Sequence, residues 1–215
     1  MITIAPSILA ADLLKIKEEV VNVDNAGAEY IHIDIMDGHY VPNISFGQNM
    51  VKSIRSVTKK ILDVHLMISS VEPYIQEFIK SGSDIISFHP ETTDRPKKVI
   101  DSIKKERCKV GIAIHPKIKV EDITDFLDDI DLVVVMTVVP GFGGQKFLND
   151  QVHKIHKLRE LRESLKLNFE IEVDGGINKE TSKTCIDNGA DILVAGSYIF
   201  NSPKEDYKKL IDSIR

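Results

Sequence analysis

The sequence predicts a (β/α)8 TIM barrel, and three observations carry that reading. Apolar strand segments alternate with helix segments eight times across the 215 residues. Parallel strands need such helical crossovers, and eight of them close naturally on themselves. The opening strand lacks the glycine-rich turn expected of the main alternative, a doubly wound dinucleotide-binding sheet. No linker or low-complexity stretch breaks the series, so residues 1–215 are expected to form a single barrel domain, a length such barrels reach as one unit.

The elements follow in order. Ile2–Pro6 reads as a short strand, and Asp12–Asn25 as a helix ending at Gly27. Tyr30–Ile35 is the second strand, with β-branched Ile31, Ile33 and Ile35 alternating with His32 and Asp34. A loop over Asp37–Gly47 leads to a helix near Asn49–Val57. Ile61–Leu66 is the third strand. Pro73–Lys80 is a helix with proline in its first turn and Gly82 just beyond its end. Asp84–Phe88 and Lys109–Ile114 are strands four and five, each followed by a helix, Arg95–Lys105 and Val120–Leu127. Asp131–Thr137 is almost wholly apolar, as a strand covered by helices should be, and a long helix Asp150–Leu165 follows it. Phe169–Val173, the helix Glu180–Asn188, the strand Asp191–Ala195 and the helix Pro203–Ile214 complete the pattern.

Composition excludes several classes of function. A formal charge of −5 without a concentrated basic patch argues against nucleic acid as the main partner. No apolar run reaches the roughly 18 residues of a membrane span, and the first residues, Met1-Ile2-Thr3-Ile4-Ala5-Pro6, lack the basic and apolar regions of a signal peptide. Cys108 and Cys185 stand far apart with no partner spacing. That suits reduced thiols in the cytoplasm and argues against a cysteine-based metal site.

Chemistry in such a barrel sits where the strands end. Side chains two apart on a strand share a face, so His32 and Asp34 point together, as do Asp63 and His65, and as do Glu170, Glu172 and Asp174. In these three strands the apolar parity faces the helices, which leaves the polar parity facing the barrel axis. A lone His-x-Asp is more often a solvated sheet face, and a lone buried histidine is more often a satisfied core residue. Acids and imidazoles gathered inside a barrel are costly unless they pair with each other or with a metal. His32, Asp34, His65 and Asp174 therefore form a plausible site for one divalent ion, Zn²⁺ first, with Fe²⁺, Mn²⁺ or Co²⁺ also compatible with a mixed His/carboxylate set.

Three loops at the same rim are rich in glycine: Gly141-Phe142-Gly143-Gly144, Gly175-Gly176 and Gly196-Ser197. Glycines let backbone N–H groups approach an anion, and loops after strands seven and eight are the usual phosphate position in these barrels. A small phosphorylated substrate is expected. Ser7 adds a hydroxyl at that rim, with a helix cap as its alternative role. Two carboxylates facing each other across a metal suit removal of a proton from one face of a carbon and its return on the other, through an enediolate. Asp34 and Asp174 are the candidate acid/base pair.

Taken together, Ala5-Pro6-Ser7-Ile8-Leu9-Ala10-Ala11-Asp12, His32-Ile33-Asp34-Ile35-Met36-Asp37-Gly38-His39-Tyr40-Val41-Pro42-Asn43, Asp63-Val64-His65-Leu66-Met67, Pro140-Gly141-Phe142-Gly143-Gly144-Gln145, Val173-Asp174-Gly175-Gly176 and Val194-Ala195-Gly196-Ser197 resemble the ribulose-phosphate 3-epimerase family in order along the whole chain. The resemblance implies interconversion of D-ribulose 5-phosphate and D-xylulose 5-phosphate in the pentose phosphate pathway, by a homo-oligomer with one divalent metal ion on His32, Asp34, His65 and Asp174. It implies that Asp34 and Asp174 exchange protons on opposite faces of the substrate. Ser7 and His65 would touch the sugar, and Gly141, Phe142, Gly143, Gly144, Gly175, Gly176, Gly196 and Ser197 would line the substrate and its phosphate. Met36, Met67 and Met136 resemble a methionine cap near the enediolate, flexible core filler being their alternative.

Two positions depart from the family pattern: Thr137-Val138-Val139-Pro140 replaces a common Ser-x-Asn-Pro, and His115-Pro116 replaces a common Asn-Pro. They keep allulose-6-phosphate 3-epimerase as the alternative activity. The Asp-x-Lys-x-x-Asp arrangement of related barrel decarboxylases is missing, because Met36 stands two after Asp34. A non-catalytic sugar-phosphate-binding barrel would be signalled by loss of Asp34 or Asp174, and both are present.

Overall fold

The computed structural model describes residues 2–215. Its eight strands are β1 (Thr3–Pro6), β2 (Tyr30–Met36), β3 (Ile61–Met67), β4 (Ile85–Phe88), β5 (Lys109–Ile114), β6 (Leu132–Met136), β7 (Glu170–Asp174) and β8 (Ile192–Ala195). They pair in parallel in the order β1-β8-β7-β6-β5-β4-β3-β2. A further parallel bridge between Ser7 and His32 brings the two ends of that series together, nearly closing a (β/α)8 barrel.

The helices are α1 (Ile16–Asn25), α2 (Gln48–Arg55), α3 (Ile75–Lys80), α4 (Pro96–Lys105), α5 (Val152–Leu165), α6 (Lys179–Asn188), α7 (Ser197–Phe200) and α8 (Tyr207–Asp212). The segment expected to be a helix between β5 and β6 is instead a 3-10 helix, Val120–Phe126. Its buried residues are Val120 and Ile123, three apart. Side chains at i and i+3 share a face in both windings, so the pattern read as an α-helix is equally met by the tighter one. Likewise, the first turns of the expected helix Asp12–Asn25 are a 3-10 turn over Leu13–Lys15, capped by the Asp12 side chain. The short helix α7 was not expected.

Two apolar layers hold the barrel. The outer one joins Ile31, Ile33, Ile35, Leu62, Val64, Leu66, Ile171 and Val173 of the strands to Val20, Val23, Ile100, Ile103 and Leu158 of the helices. The inner one, made of Ala5, Ile85, Ala113, Leu132, Val134, Met136, Ile192 and Val194, fills only part of the interior. The rest is polar and buried: His32, Asp34, Asp63, His65, Ser87 and Glu172.

At the other end of the barrel one device recurs. Glu29, Asp84, Asp131 and Asp191 each stand just before a strand and accept the backbone N–H of the second residue of a neighbouring strand, from Ile4, Leu62, Val110 and Ile171, at 2.8–2.9 Å. An unmet buried N–H there would cost about 1–3 kcal/mol. Three of these acids follow a left-handed glycine by two residues, Gly27, Gly82 and Gly189, which ends the preceding helix and turns the chain back. Among the described residues no helix is long and apolar enough to cross a membrane.

Candidate active site

Parallel register brings the polar faces together. His32 pairs with Asp63 and Asp34 with His65 across β2 and β3, so the two His/Asp faces lie side by side. Asp174 ends β7 opposite Met136. Within this cluster Asp34 Oδ1 lies 3.3 Å from His32 Nε2 and 3.2 Å from His65 Nδ1. Asp174 Oδ2 lies 3.9 Å from His32 Nε2 and 3.7 Å from His65 Nδ1. A tetrahedral ion with bonds near 2.1 Å holds its ligand atoms about 3.4 Å apart. One atom from each of the four residues lies within 4.8 Å of all the others, and His32 Nε2 is buried without a hydrogen-bond partner. This donor set fits one divalent cation.

The two imidazoles present opposite ring edges. His32 turns Nε2 inward and sets Nδ1 2.6 Å from Asp63 Oδ2. His65 turns Nδ1 inward and sets Nε2 3.0 Å from His89 Nε2. Burial alone would raise the Asp34 carboxyl, but His32 and His65 beside it hold it well below the usual carboxylate range. Burial pulls both histidines down, yet Asp63 and Asp34 around His32, and Asp174 and Asp34 around His65, leave them raised. Glu172, buried beneath His32 with no partner for either carboxyl oxygen, is pushed well above the usual range by burial and by Asp63.

Above this cluster lies a cavity, and most of the residues singled out in the sequence line it: Ser7, Asp34, Met36, Met67, Met136, Gly141, Phe142, Gly143, Gly144, Asp174, Gly175, Gly176, Gly196 and Ser197. His32 and His65 do not. They are fully buried behind the two carboxylates rather than on the cavity wall. Ser7 donates to Asp34 Oδ2 at 2.7 Å, so each oxygen of that carboxylate is engaged. Thr137 donates to the Gly175 carbonyl at 2.6 Å, tying the end of β6 to the turn after β7. That turn needs glycine: Gly175 and Gly176 have φ of +123° and +67°. A Cβ on Gly175 would stand 2.6 Å from Val138, and one on Gly176 would stand 2.7 Å from the Phe147 backbone. Neither departing residue, Val139 or His115, lines the cavity, although Val138 and Pro140 on either side of Val139 do.

Several residues were given no part by the sequence reading. Asp63 and Glu172 were visible on the polar parity, but only their positions beneath His32 show what they meet. His89 was missed because strand four was read as ending at Phe88. Its parity, continued one residue, aims His89 at the same interior as Ser87, and both are fully buried. Burial, with His65 adding to it and Glu91 opposing, brings the His89 imidazole down to about 4.

The chain matches the model of the "Ribulose-phosphate 3 epimerase family" over residues 3–200. It is 46% identical to ribulose-phosphate 3-epimerase of Bacillus subtilis (strain 168), covering 100% of this chain and 99% of that protein. Identity is 42% with the Synechocystis sp. enzyme of the same name, over 100% and 93%. For the one from Escherichia coli (strain K12) it is 38%, over 99% and 94%. Among solved structures, KGPDC from Streptococcus mutans superposes with a TM-score of 0.72 at 16% identity, over 100% of this chain and 97% of that one. That likeness speaks to the fold alone. The sequence relationship speaks to more: this chain belongs to the ribulose-phosphate 3-epimerase family of isomerases.

Proposed function

We propose that this protein is a metal-dependent 3-epimerase that interconverts D-ribulose 5-phosphate and D-xylulose 5-phosphate by proton transfer at C3, within the pentose phosphate pathway. The observation that carries the proposal is the convergence of two carboxylates, Asp34 and Asp174, onto a cavity floor backed by two buried imidazoles.

In this reading His32 through Nε2, Asp34 through Oδ1, His65 through Nδ1 and Asp174 through Oδ2 would hold one divalent ion, Zn²⁺ first and Fe²⁺, Mn²⁺ or Co²⁺ as alternatives. When bound, the ion supplies positive charge to offset that of the enediolate oxygens. The remaining work belongs to side chains. One carboxylate takes the C3 proton while the other, protonated, returns a proton to the opposite face. Each turnover leaves the pair in the mirror protonation state, ready for the reverse reaction. The Ser7 hydroxyl, donating to Asp34 Oδ2, steadies that carboxylate as it gains and loses charge. Met36, Met67 and Met136 give the cavity an apolar wall that keeps water from the carbanion. Backbone N–H groups of the Gly141–Gly144, Gly175–Gly176 and Gly196–Ser197 segments would take the phosphate.

The free, buried thiols of Cys108 and Cys185 suit a reducing cytoplasm, and the family resemblance supports a homo-oligomer. The test is epimerisation of ribulose 5-phosphate and of allulose 6-phosphate, each before and after chelation and metal add-back. Metal-restored turnover with kcat/KM higher for the pentulose supports the proposal in full. A preference for the hexulose moves the substrate to the alternative, with the departing residues Val139 and His115 as the first to exchange. No turnover of either substrate by metal-loaded protein overturns it.

A further inference from the structure

We propose that His89, Glu91 and Tyr40 form a positioning relay that fixes which nitrogen of His65 carries a proton, and so presents His65 Nδ1 to a metal ion. The inference rests on metal binding at the four-residue cluster proposed above and adds residues that lie outside it.

His65 Nδ1 faces the carboxylates of Asp34 and Asp174, while its Nε2 lies 3.0 Å from His89 Nε2. Two imidazole nitrogens at that distance share one hydrogen, and which ring supplies it is set by everything else the rings touch. A ligating Nδ1 carries no proton, so neutral His65 must carry its hydrogen on Nε2 and donate it. His89 Nε2 is then the acceptor, and the hydrogen of neutral His89 sits on Nδ1. That atom is buried, has no hydrogen-bond partner, and lies 3.7 Å from Glu91 Oε1. The same oxygen accepts from the Tyr40 hydroxyl at 2.7 Å, and the Tyr40 ring packs on His89 with centroids 4.8 Å apart.

The chain thus has one direction. His65 donates to His89, Tyr40 donates to Glu91 Oε1, and His89 Nδ1 faces that same oxygen at 3.7 Å, close enough to feel its charge though beyond hydrogen-bond length. A carboxylate at its outer end accepts only, and therefore selects the His89 tautomer that leaves Nε2 free to accept. His32 has a simpler arrangement: its Nδ1 meets the Asp63 carboxylate directly. The two histidines offer opposite nitrogens to the same centre, and each has its other nitrogen committed to a different partner. Tyr40 also belongs to the loop whose Asn43 side chain donates to the Gly141 carbonyl at 2.8 Å. The relay is therefore anchored in the same loop that holds the wall of the cavity.

A purely structural role for His89 would be filling a buried space, which a residue of similar size without an acceptor would also do. Full-length protein, stripped of metal and titrated with Zn²⁺, separates the two. With His89→Leu the Zn²⁺ dissociation constant should rise about 10- to 100-fold with one site per chain retained, as loss of an outer partner to a ligating histidine does. His89→Gln, whose amide oxygen can accept from His65 Nε2, should recover affinity to within several-fold of the original. A second readout needs no variant: in Zn²⁺-loaded protein with ¹⁵N-labelled histidine, a coupling across the His65–His89 hydrogen bond should show the proton on His65 Nε2. A proton on His89 Nε2, or unchanged affinity in His89→Leu, overturns the relay. His32→Ala provides the separate control on the metal. If the unaltered protein binds no Zn²⁺, or His32→Ala binds it equally well, the metal reading fails and the relay falls with it.

Discussion

Asp63 gives the sharpest test of how the buried polar cluster is built, because one substitution should move stability and metal affinity in opposite directions. Asp63 is fully buried, with Oδ2 2.6 Å from His32 Nδ1 and Oδ1 without a partner. Both oxygens of Glu172 in the same cluster also lack a donor. Asp63→Asn keeps the shape and an oxygen for His32 while introducing an N–H that can serve Glu172. Removing one of two neighbouring buried carboxylates relieves a desolvation cost, so the metal-free protein should melt at the same temperature or higher. The bond to His32 loses its charge assistance, worth about half its strength, or on the order of 1.4 kcal/mol. That converts to about a tenfold weaker metal site, the lower edge of what outer-partner substitutions produce. Calorimetric titration of chelated protein with Zn²⁺, paired with thermal unfolding of the same sample, measures both quantities. Glu172→Gln is the comparator: its carboxyl is already pushed toward the neutral form, so it should change metal affinity less than Asp63→Asn does. Unchanged Zn²⁺ affinity in Asp63→Asn, or metal-free stability lower by several kcal/mol, would refute the reasoning.

Asp174→Asn should lower kcat by at least about 10²-fold, as loss of a general acid/base does, with little change in the unfolding midpoint. Turnover of the unaltered enzyme in D₂O, quenched early, should place deuterium at C3 of the product while unreacted substrate keeps its hydrogen. Product without deuterium would remove the two-carboxylate mechanism. Gly175→Ala adds a methyl 2.6 Å from Val138 at φ +123°, so denaturant unfolding should show a loss of about 1–3 kcal/mol and epimerase assays a loss of activity. The Cys185 thiol is pushed up to about 12 by burial, above its unfolded value near 8.5. Protection of the neutral thiol is thus fully present below pH 8.5 and lost as pH rises toward 12, at about 1.4 kcal/mol per pH unit. The stability gap between the original protein and Cys185→Ala should therefore change between pH 8 and pH 10.5, and parallel urea curves would count against it.

How far the site was legible in the sequence follows from what parity does and does not encode. Alternation along a strand states which side chains share a face, so His32 with Asp34, and Asp63 with His65, were paired correctly from the string alone. Register decides which residue of the neighbouring strand each one meets, and no pattern of apolar residues specifies it. His32 lies opposite Asp63 and Asp34 opposite His65. That is why one imidazole offers Nε2 inward and the other Nδ1. The capping acids Glu29, Asp84, Asp131 and Asp191 were overlooked for a different reason. Asp84, Asp131 and Asp191 read in the sequence as the first residues of strands four, six and eight, and nothing marks such an acid as a cap until the N–H of the adjacent strand is seen beside it. The 3-10 helix at Val120–Phe126 escaped because a segment so short offers two buried positions, and both helical windings fit two.

The interior carries the deeper reason why this chain looks ordinary by composition yet has an unusual core. Half of the barrel is lined by Ala113, Leu132, Val134, Ile192 and Val194, which stabilise it in the ordinary way. The other half spends that stability on His32, Asp34, Asp63, His65, Ser87 and Glu172, of which Glu172, Ser87 and Asp63 retain side-chain oxygens with no partner. Buried unpaired groups persist where something offsets their cost. Two arrangements supply part of it: a cation-sized set of four ligand atoms, and partners committed to the outer nitrogen of each histidine. A core selected for stability alone would replace Glu172 and Asp63 with leucine or valine and lose nothing in packing. Their presence beneath His32 therefore argues that this half of the interior is arranged around the orientation of one imidazole, and the barrel's apolar half and outer layer supply the rigidity to hold it.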